Sequence, residues 1–139
     1  MVTYWDASAL VPLLLQETTS EVYRRIAGTN EVVTWWGSAI ECAAAIEHRA
    51  RAGEAAESVA AAYRNLDELL AQWKEIPPTE CLRRTAIRFA RTAALRAGDA
   101  LHLAAATIAS QFEPTTIRFL SEDLRLKQAA QREGFVVDY

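Results

Sequence analysis

With 139 residues and 51% hydrophobic content, the chain has apolar side chains for one core and little left for another, so a single domain over residues 1–139 is expected. Fifteen basic residues against 18 acidic ones leave a formal charge of −3, which excludes a general basic field that would collect nucleic acid from a distance; any contact with a polyanion has to be local. Cys42 and Cys81 lie far apart without C-x-x-C spacing, which excludes a zinc pair and predicts two reduced, buried thiols, while the absence of a basic n-region and the breaks at Asp6, Gln16 and Glu17 exclude a signal peptide or membrane span and predict a cytoplasmic protein.

Val2 to Trp5 reads as a short buried strand, and Ala7 to Gln16 continues with helical composition. Glu31 to Trp35, rich in β-branched and aromatic residues, predicts a second strand that stops at Gly37. Ser38 opens a helix through Glu41, Ala45 and Arg49 to about Gly53. In the long helix that follows, Val59, Tyr63, Leu66, Leu70 and Trp73 recur at helical spacing, which predicts an antiparallel helix pair with one shared apolar seam. Pro77-Pro78 closes that unit after a minimal strand at Lys74 to Ile76.

Thr79 begins a helix with Leu82, Ala86, Phe89 and Ala93 on one face and Arg84, Arg88 and Arg91 on another, and Gly98 is expected to stop it. Asp99 then starts a helix from Ala100 to about Phe112, Pro114 marks the turn before a strand at Thr116 to Leu120, and a further helix runs from Asp123 to Gly134. Phe135 to Val137 reads as a last short strand. Strands alternating with helices imply an α/β fold of three layers, α/β/α, with a central parallel sheet of about four to five short strands.

Four acids, Asp6, Glu41, Asp99 and Asp123, each lie where a strand or loop hands over to a helix. Singly, each has an ordinary explanation. Asp is a preferred helix cap, and Ser38-x-x-Glu41 has the form of a capping box. Jointly they point further, because the strand-to-helix junctions of a parallel sheet lie along one edge, where ligands bind. Carboxylates gathered there raise one another's pKa unless a cation neutralises them. An all-oxygen ligand set favours Mg2+ or Mn2+ over zinc or copper, and two such ions serve in-line displacement at a phosphodiester by activating water and stabilising the leaving oxygen.

Ser8 and Ser121 are candidates to steady a ligand carboxylate, although each could simply satisfy a local backbone group. His102 follows Asp99 by three positions, so its ring could orient that acid or touch substrate, and core packing is the simpler role. Arg84, Arg88 and Arg91 could meet phosphates or form a solvated face. Trp35 and Trp36 could stack a base, anchor a partner or fill the core. The seam of Val59, Leu66, Leu70 and Trp73 could extend into a groove for a partner helix.

Four segments also resemble the motifs of PIN-domain proteins. They are Tyr4-Trp5-Asp6-Ala7-Ser8-Ala9-Leu10-Val11, Ser38-Ala39-Ile40-Glu41 followed by Ala43-Ala44-Ala45, Arg96-Ala97-Gly98-Asp99-Ala100-Leu101-His102-Leu103-Ala104, and Phe119-Leu120-Ser121-Glu122-Asp123-Leu124-Arg125-Leu126. Their order and spacing are similar to those of VapC-type toxins over essentially the whole chain. The resemblance implies a PIN-like fold and an endoribonuclease dependent on magnesium or manganese, with Asp6, Glu41, Asp99 and Asp123 at its site. It also implies a homodimer held inactive by a cognate antitoxin, cutting RNA of the tRNA or rRNA class. Two other readings stand beside it. A catalytically silent PIN-like binding module would keep the fold alone, and an aspartyl-phosphate phosphotransfer domain would want a late lysine where only Lys127 lies, and in one form a second Asp at Ser8.

Overall fold

The computed structural model describes residues 2–137. In chain order the elements are β1 (Val2–Trp5), α1 (Ala7–Leu14), α2 (Ser20–Thr29), β2 (Val32–Trp35), α3 (Ser38–Arg51), α4 (Ala56–Gln72), β3 (Lys74–Ile76), α5 (Glu80–Thr92), α6 (Ala97–Ala109), a 3-10 turn (Pro114–Thr116), β4 (Ile117–Leu120) and α7 (Leu124–Arg132). The four strands form one sheet in the order β3-β2-β1-β4, every pair parallel. The expected three-layer α/β/α architecture is the one observed.

Alternation along each strand explains the two outer layers, because successive side chains leave opposite faces of the sheet. Tyr4, Val33, Ile117 and Phe119 enter one core with Leu82 and Phe89 of α5, Leu103 of α6 and Leu126 of α7. Trp5 and Leu120 enter the other with Leu10, Tyr23, Ile46 and Leu66 from α1 to α4 and with Trp73, which caps the end of α4. With both faces covered, the inner strands β1 and β2 are largely apolar, while the edge strand β3 is Lys-Glu-Ile. The chain moves outward from β1 to β2 and β3, then returns to place β4 on the other side of β1. The order of strands therefore reverses between β1 and β4, the place in such sheets where a crevice opens at the strands' carboxyl ends.

Several expected boundaries move. α5 ends at Thr92, before Gly98, and the chain turns through Ala94 in the left-handed region (φ 53°), so Gly98 and Asp99 fall in the first turn of α6. That helix closes at Ala109, short of Phe112. Phe135 to Val137 adds one bridge, Val136 to Arg118, and no fifth strand, although Phe135 and Val137 are buried. α2 is a helix the sequence did not single out. Its first turn has no side-chain cap, and it buries little beyond Ser20 and Tyr23. On α4, Leu70 faces outward while Ala62 joins Leu66 and Trp73 in the seam. Cys42 is buried as expected, whereas Cys81 is exposed, because it lies on the solvent side of the first turn of α5 while Leu82 takes the core side. Among the described residues no helix is long and apolar enough to cross a membrane.

Candidate active site

Asp6 follows β1 and caps α1, its Oδ1 accepting the Ala9 amide at 3.0 Å. The capping role expected of an aspartate here is real, and it is one of several. Ser8 Oγ donates to the same oxygen at 2.7 Å, and Ser121 Oγ, from the end of β4, donates to Oδ2 at 2.7 Å. The Glu122 amide donates to Ser8 Oγ at 2.8 Å and the Asp123 amide to Ser121 Oγ at 3.0 Å, so the two serines staple the reversal point of the sheet. Asp6 is 4% exposed. Burial raises its pKa, opposed by the charge of His102 and by the bonds from Ser121, Ser8 and Ala9.

Glu41 stands in the first turn of α3, but Gly37 is the cap of that helix and the hydroxyl of Ser38 is engaged with Thr34 Oγ1. No capping box forms. Glu41 Oε1 instead accepts from Trp35 Nε1 at 3.2 Å and faces His102 Nε2 at 2.9 Å. Trp35 reaches it by folding back over Gly37, where a Cβ would come within 2.2 Å of the indole. His102 is buried, and its Nδ1 lies 2.8 Å from the Tyr4 hydroxyl. Burial by itself would lift the Glu41 carboxyl. The hydrogen bond and charge of His102, with the Trp35 bond, outweigh it and hold the group below the usual carboxylate range. Burial, then the charges of Asp6 and Glu41, keep the Tyr4 hydroxyl protonated far above its ordinary range.

Asp99 is no cap. It sits in the first turn of α6 and makes no side-chain hydrogen bond among the described residues. Its pKa is raised by partial burial and by the charge of Asp123, with Glu41 adding to the rise and His102 and Arg96 opposing it. Asp123 does cap α7, its Oδ1 accepting the amides of Arg125 at 2.9 Å and Leu126 at 3.2 Å. The four acids thus lie at one edge of the sheet, where Asp99 feels both Asp123 and Glu41. Among the described residues no three Asp, Glu, His or Cys side chains stand close enough to hold an ion as they are arranged. The chemistry of the set nonetheless fits a hard divalent cation, being carboxylate oxygen throughout, with Asp99 made more basic by burial and by the charge of Asp123.

Tyr4 and the aim of His102 are what sequence reasoning missed. The signal available was the spacing of His102 from Asp99 on one helix, which suggested a bond to Asp99; the ring points to Glu41 because α6 packs against β2.

A family model described as "PIN domain" matches residues 3–131. The chain belongs to the PIN domain family. The crystal structure of PAE2754 from Pyrobaculum aerophilum aligns with this PIN domain at a TM-score of 0.68 and 22% identity, over 97% of this chain and 83% of that one, and shows the shared fold. No curated protein matches the chain. PIN domains are generally nucleases, which supports a hydrolase of phosphodiester bonds.

Proposed function

We propose that this PIN domain is an endoribonuclease dependent on magnesium or manganese, the toxin of a toxin-antitoxin pair acting in the cytoplasm on RNA of the tRNA or rRNA class. The observation that carries the nuclease reading is the gathering of Asp6, Glu41, Asp99 and Asp123 about the reversal point of a parallel sheet, with burial and then the charge of Asp123 raising the pKa of Asp99. Asp6, Glu41, Asp99 and Asp123 would hold the metal, which supplies water activation and charge neutralisation at the phosphodiester.

The chain's own residues divide the remaining work. Ser8 and Ser121 fix both oxygens of Asp6, so this carboxylate is rigid before any ligand arrives. Asp99, without hydrogen bonds of its own, is free to adjust, as is Asp123 through Oδ2. Arg96, close enough to Asp99 to lower its pKa, stands ready for a flanking phosphate. Arg84, Arg88 and Arg91 line a separate shallow pocket with Ile87 and Thr92, a second strip for the backbone of a longer RNA.

Two surface features support the partners. Trp36, Ile40 and Ile87 are exposed, and Ile87 lies on the rim of an apolar groove of about 330 Å³ lined by Trp35, Leu82, Ala100 and Leu101, a surface suited to a homodimer. A groove of about 450 Å³ among α1, α2 and α4, in which Leu13, Ala27 and Leu69 stand beside Arg24, Asn65, Glu68 and Gln72, is suited to an antitoxin segment that presents polar side chains as well as apolar ones.

The test is purified protein, freed of antitoxin, incubated with total cellular RNA and Mg2+ or Mn2+, beside an EDTA control and the variants Asp6→Asn and Asp99→Asn. Discrete cleavage that needs the metal and is lost in both variants is expected. Cutting in EDTA, or full activity in both variants, sinks the nuclease reading, and RNA bound without cleavage moves the protein to a silent binding module.

A further inference from the structure

Side chains of two other elements meet on a single oxygen of Glu41, and a third stands behind them. Trp35 at the end of β2 donates to Oε1 directly, His102 of α6 faces the same atom, and Tyr4 of β1 stands behind His102 on its other ring nitrogen. The imidazole is 2% exposed and boxed by rings, edge-on to Tyr4 at 5.9 Å and to Trp35 at 6.3 Å. A carboxylate oxygen only accepts, so Nε2 carries the hydrogen. On the other side of the ring, Nδ1 lies 2.8 Å from the Tyr4 hydroxyl, which can serve it as donor or acceptor. Oε2 of Glu41 takes no hydrogen bond from the described residues.

We propose that Tyr4, His102 and Trp35 form a clamp on Glu41 that holds one carboxylate oxygen and leaves the other open toward a divalent cation, with His102 acting as a positioning residue. The need for a clamp follows from the side chain. Aspartates such as Asp6 are fixed by their own helix turn, whereas a glutamate has an extra rotatable bond and its own α3 offers it no partner once Ser38 is engaged elsewhere. His102 also lies three residues after Asp99 on the same helix, one turn along the same face. The clamp therefore ties the place of Glu41 to that of Asp99, the acid most sensitive to its neighbours' charge. A buried histidine that merely filled the core would need a partner for each nitrogen, but not a partner that is itself anchored a second time by an indole.

This inference rests on the metal-dependent reading above and is tested apart from it. Mn2+ is titrated calorimetrically into metal-free wild type, His102→Leu, His102→Gln, Tyr4→Phe and Trp35→Phe, with circular dichroism confirming that each is folded. His102→Leu is expected to weaken Mn2+ binding by roughly 10- to 100-fold, the range for removing an outer partner of a metal ligand. His102→Gln, which keeps an N–H donor, is expected to restore most of that loss, and Tyr4→Phe and Trp35→Phe to show part of it. Nitrogen-15 spectra of the metal-free wild type are expected to show a hydrogen on Nε2 of His102, and a ring whose only hydrogen is on Nδ1 overturns the clamp. If His102→Leu fails to fold, Tyr4→Phe and Trp35→Phe decide: binding equal to wild type in both overturns the clamp. Wild-type binding that a folded His102→Leu leaves intact overturns it as well, with the metal reading standing. No Mn2+ binding by the wild type overturns the metal reading and this inference with it.

Discussion

Ser121 donates its hydroxyl to Oδ2 of Asp6 at 2.7 Å, a bond between residues 115 apart in sequence that ties the end of β4 to the end of β1. The acceptor is a carboxylate almost wholly removed from water, so without the donor a buried charged oxygen is left short of a partner. Ser121→Ala is expected to destabilise the protein by about 1.5–3 kcal/mol, the range for a hydrogen bond to a charged group. Urea unfolding checks this as a lower midpoint at unchanged slope, and an unaltered midpoint contradicts it.

Asp99 makes the opposite prediction. Its folded-state pKa is raised, so ionising it favours the unfolded chain. That penalty is absent below the unfolded pKa and grows as pH rises through the folded one. In EDTA, Asp99→Asn is therefore expected to melt above the wild type at pH 7, with the two curves converging below about pH 4. Partial exposure of the carboxyl limits the gain to under about 1 kcal/mol, hence a shift of at most roughly 4 °C. Scanning calorimetry at both pH values measures it. A gain that is as large at pH 3 as at pH 7 would point to packing in place of charge.

Gly37 tests the seat of Trp35. A methyl group there would meet the indole at 2.2 Å, so Gly37→Ala must push the ring from the position in which it bonds Glu41. Overpacking of this kind costs about 1–3 kcal/mol. The expected result is a lower unfolding midpoint together with a changed tryptophan emission. By contrast Gly28, whose added Cβ would meet nothing within 4 Å, is expected to accept alanine without loss.

The cysteines separate cleanly by reactivity. Cys42 is buried beside Glu41 and Asp6, and burial with those charges pushes its thiol up to about 12. Cys81 is exposed. At pH 8 an aromatic disulfide reagent is expected to modify one thiol per chain in the native protein and two in denaturant, because thiolate and access are both needed for attack. Replacing Cys81 by Ser should abolish the native reaction.

Local signals served the element order well. The short apolar run of β1, the apolar spacing of α5 and the aspartate opening α7 each depend on neighbours within a turn or two, and each formed as expected. Boundaries failed where a local rule had a rival. Gly98 looked like a helix stop, yet a backbone turn at Ala94 did that work and left the glycine in the next helix. Ser38 and Glu41 had the spacing of a capping box, but Thr34 on the neighbouring strand captured the serine first. The four acids were legible as a set because a parallel sheet puts strand ends on one edge, a consequence of topology that needs no coordinates.

The sequence by itself determined the three-layer α/β class, the number and order of most elements, and the acids at their junctions, because strand period, helix period and capping are written in adjacent residues. Only the tertiary structure decided what each acid's oxygens do: that Asp6 is held on both, Glu41 on one and Asp99 on neither. Those facts rest on bonds between residues 61, 98 and 115 apart, from Glu41 to His102, from His102 to Tyr4 and from Asp6 to Ser121. No local pattern encodes such pairings, since they arise when the packing of helices on both faces of the sheet brings distant side chains within 3 Å of one another.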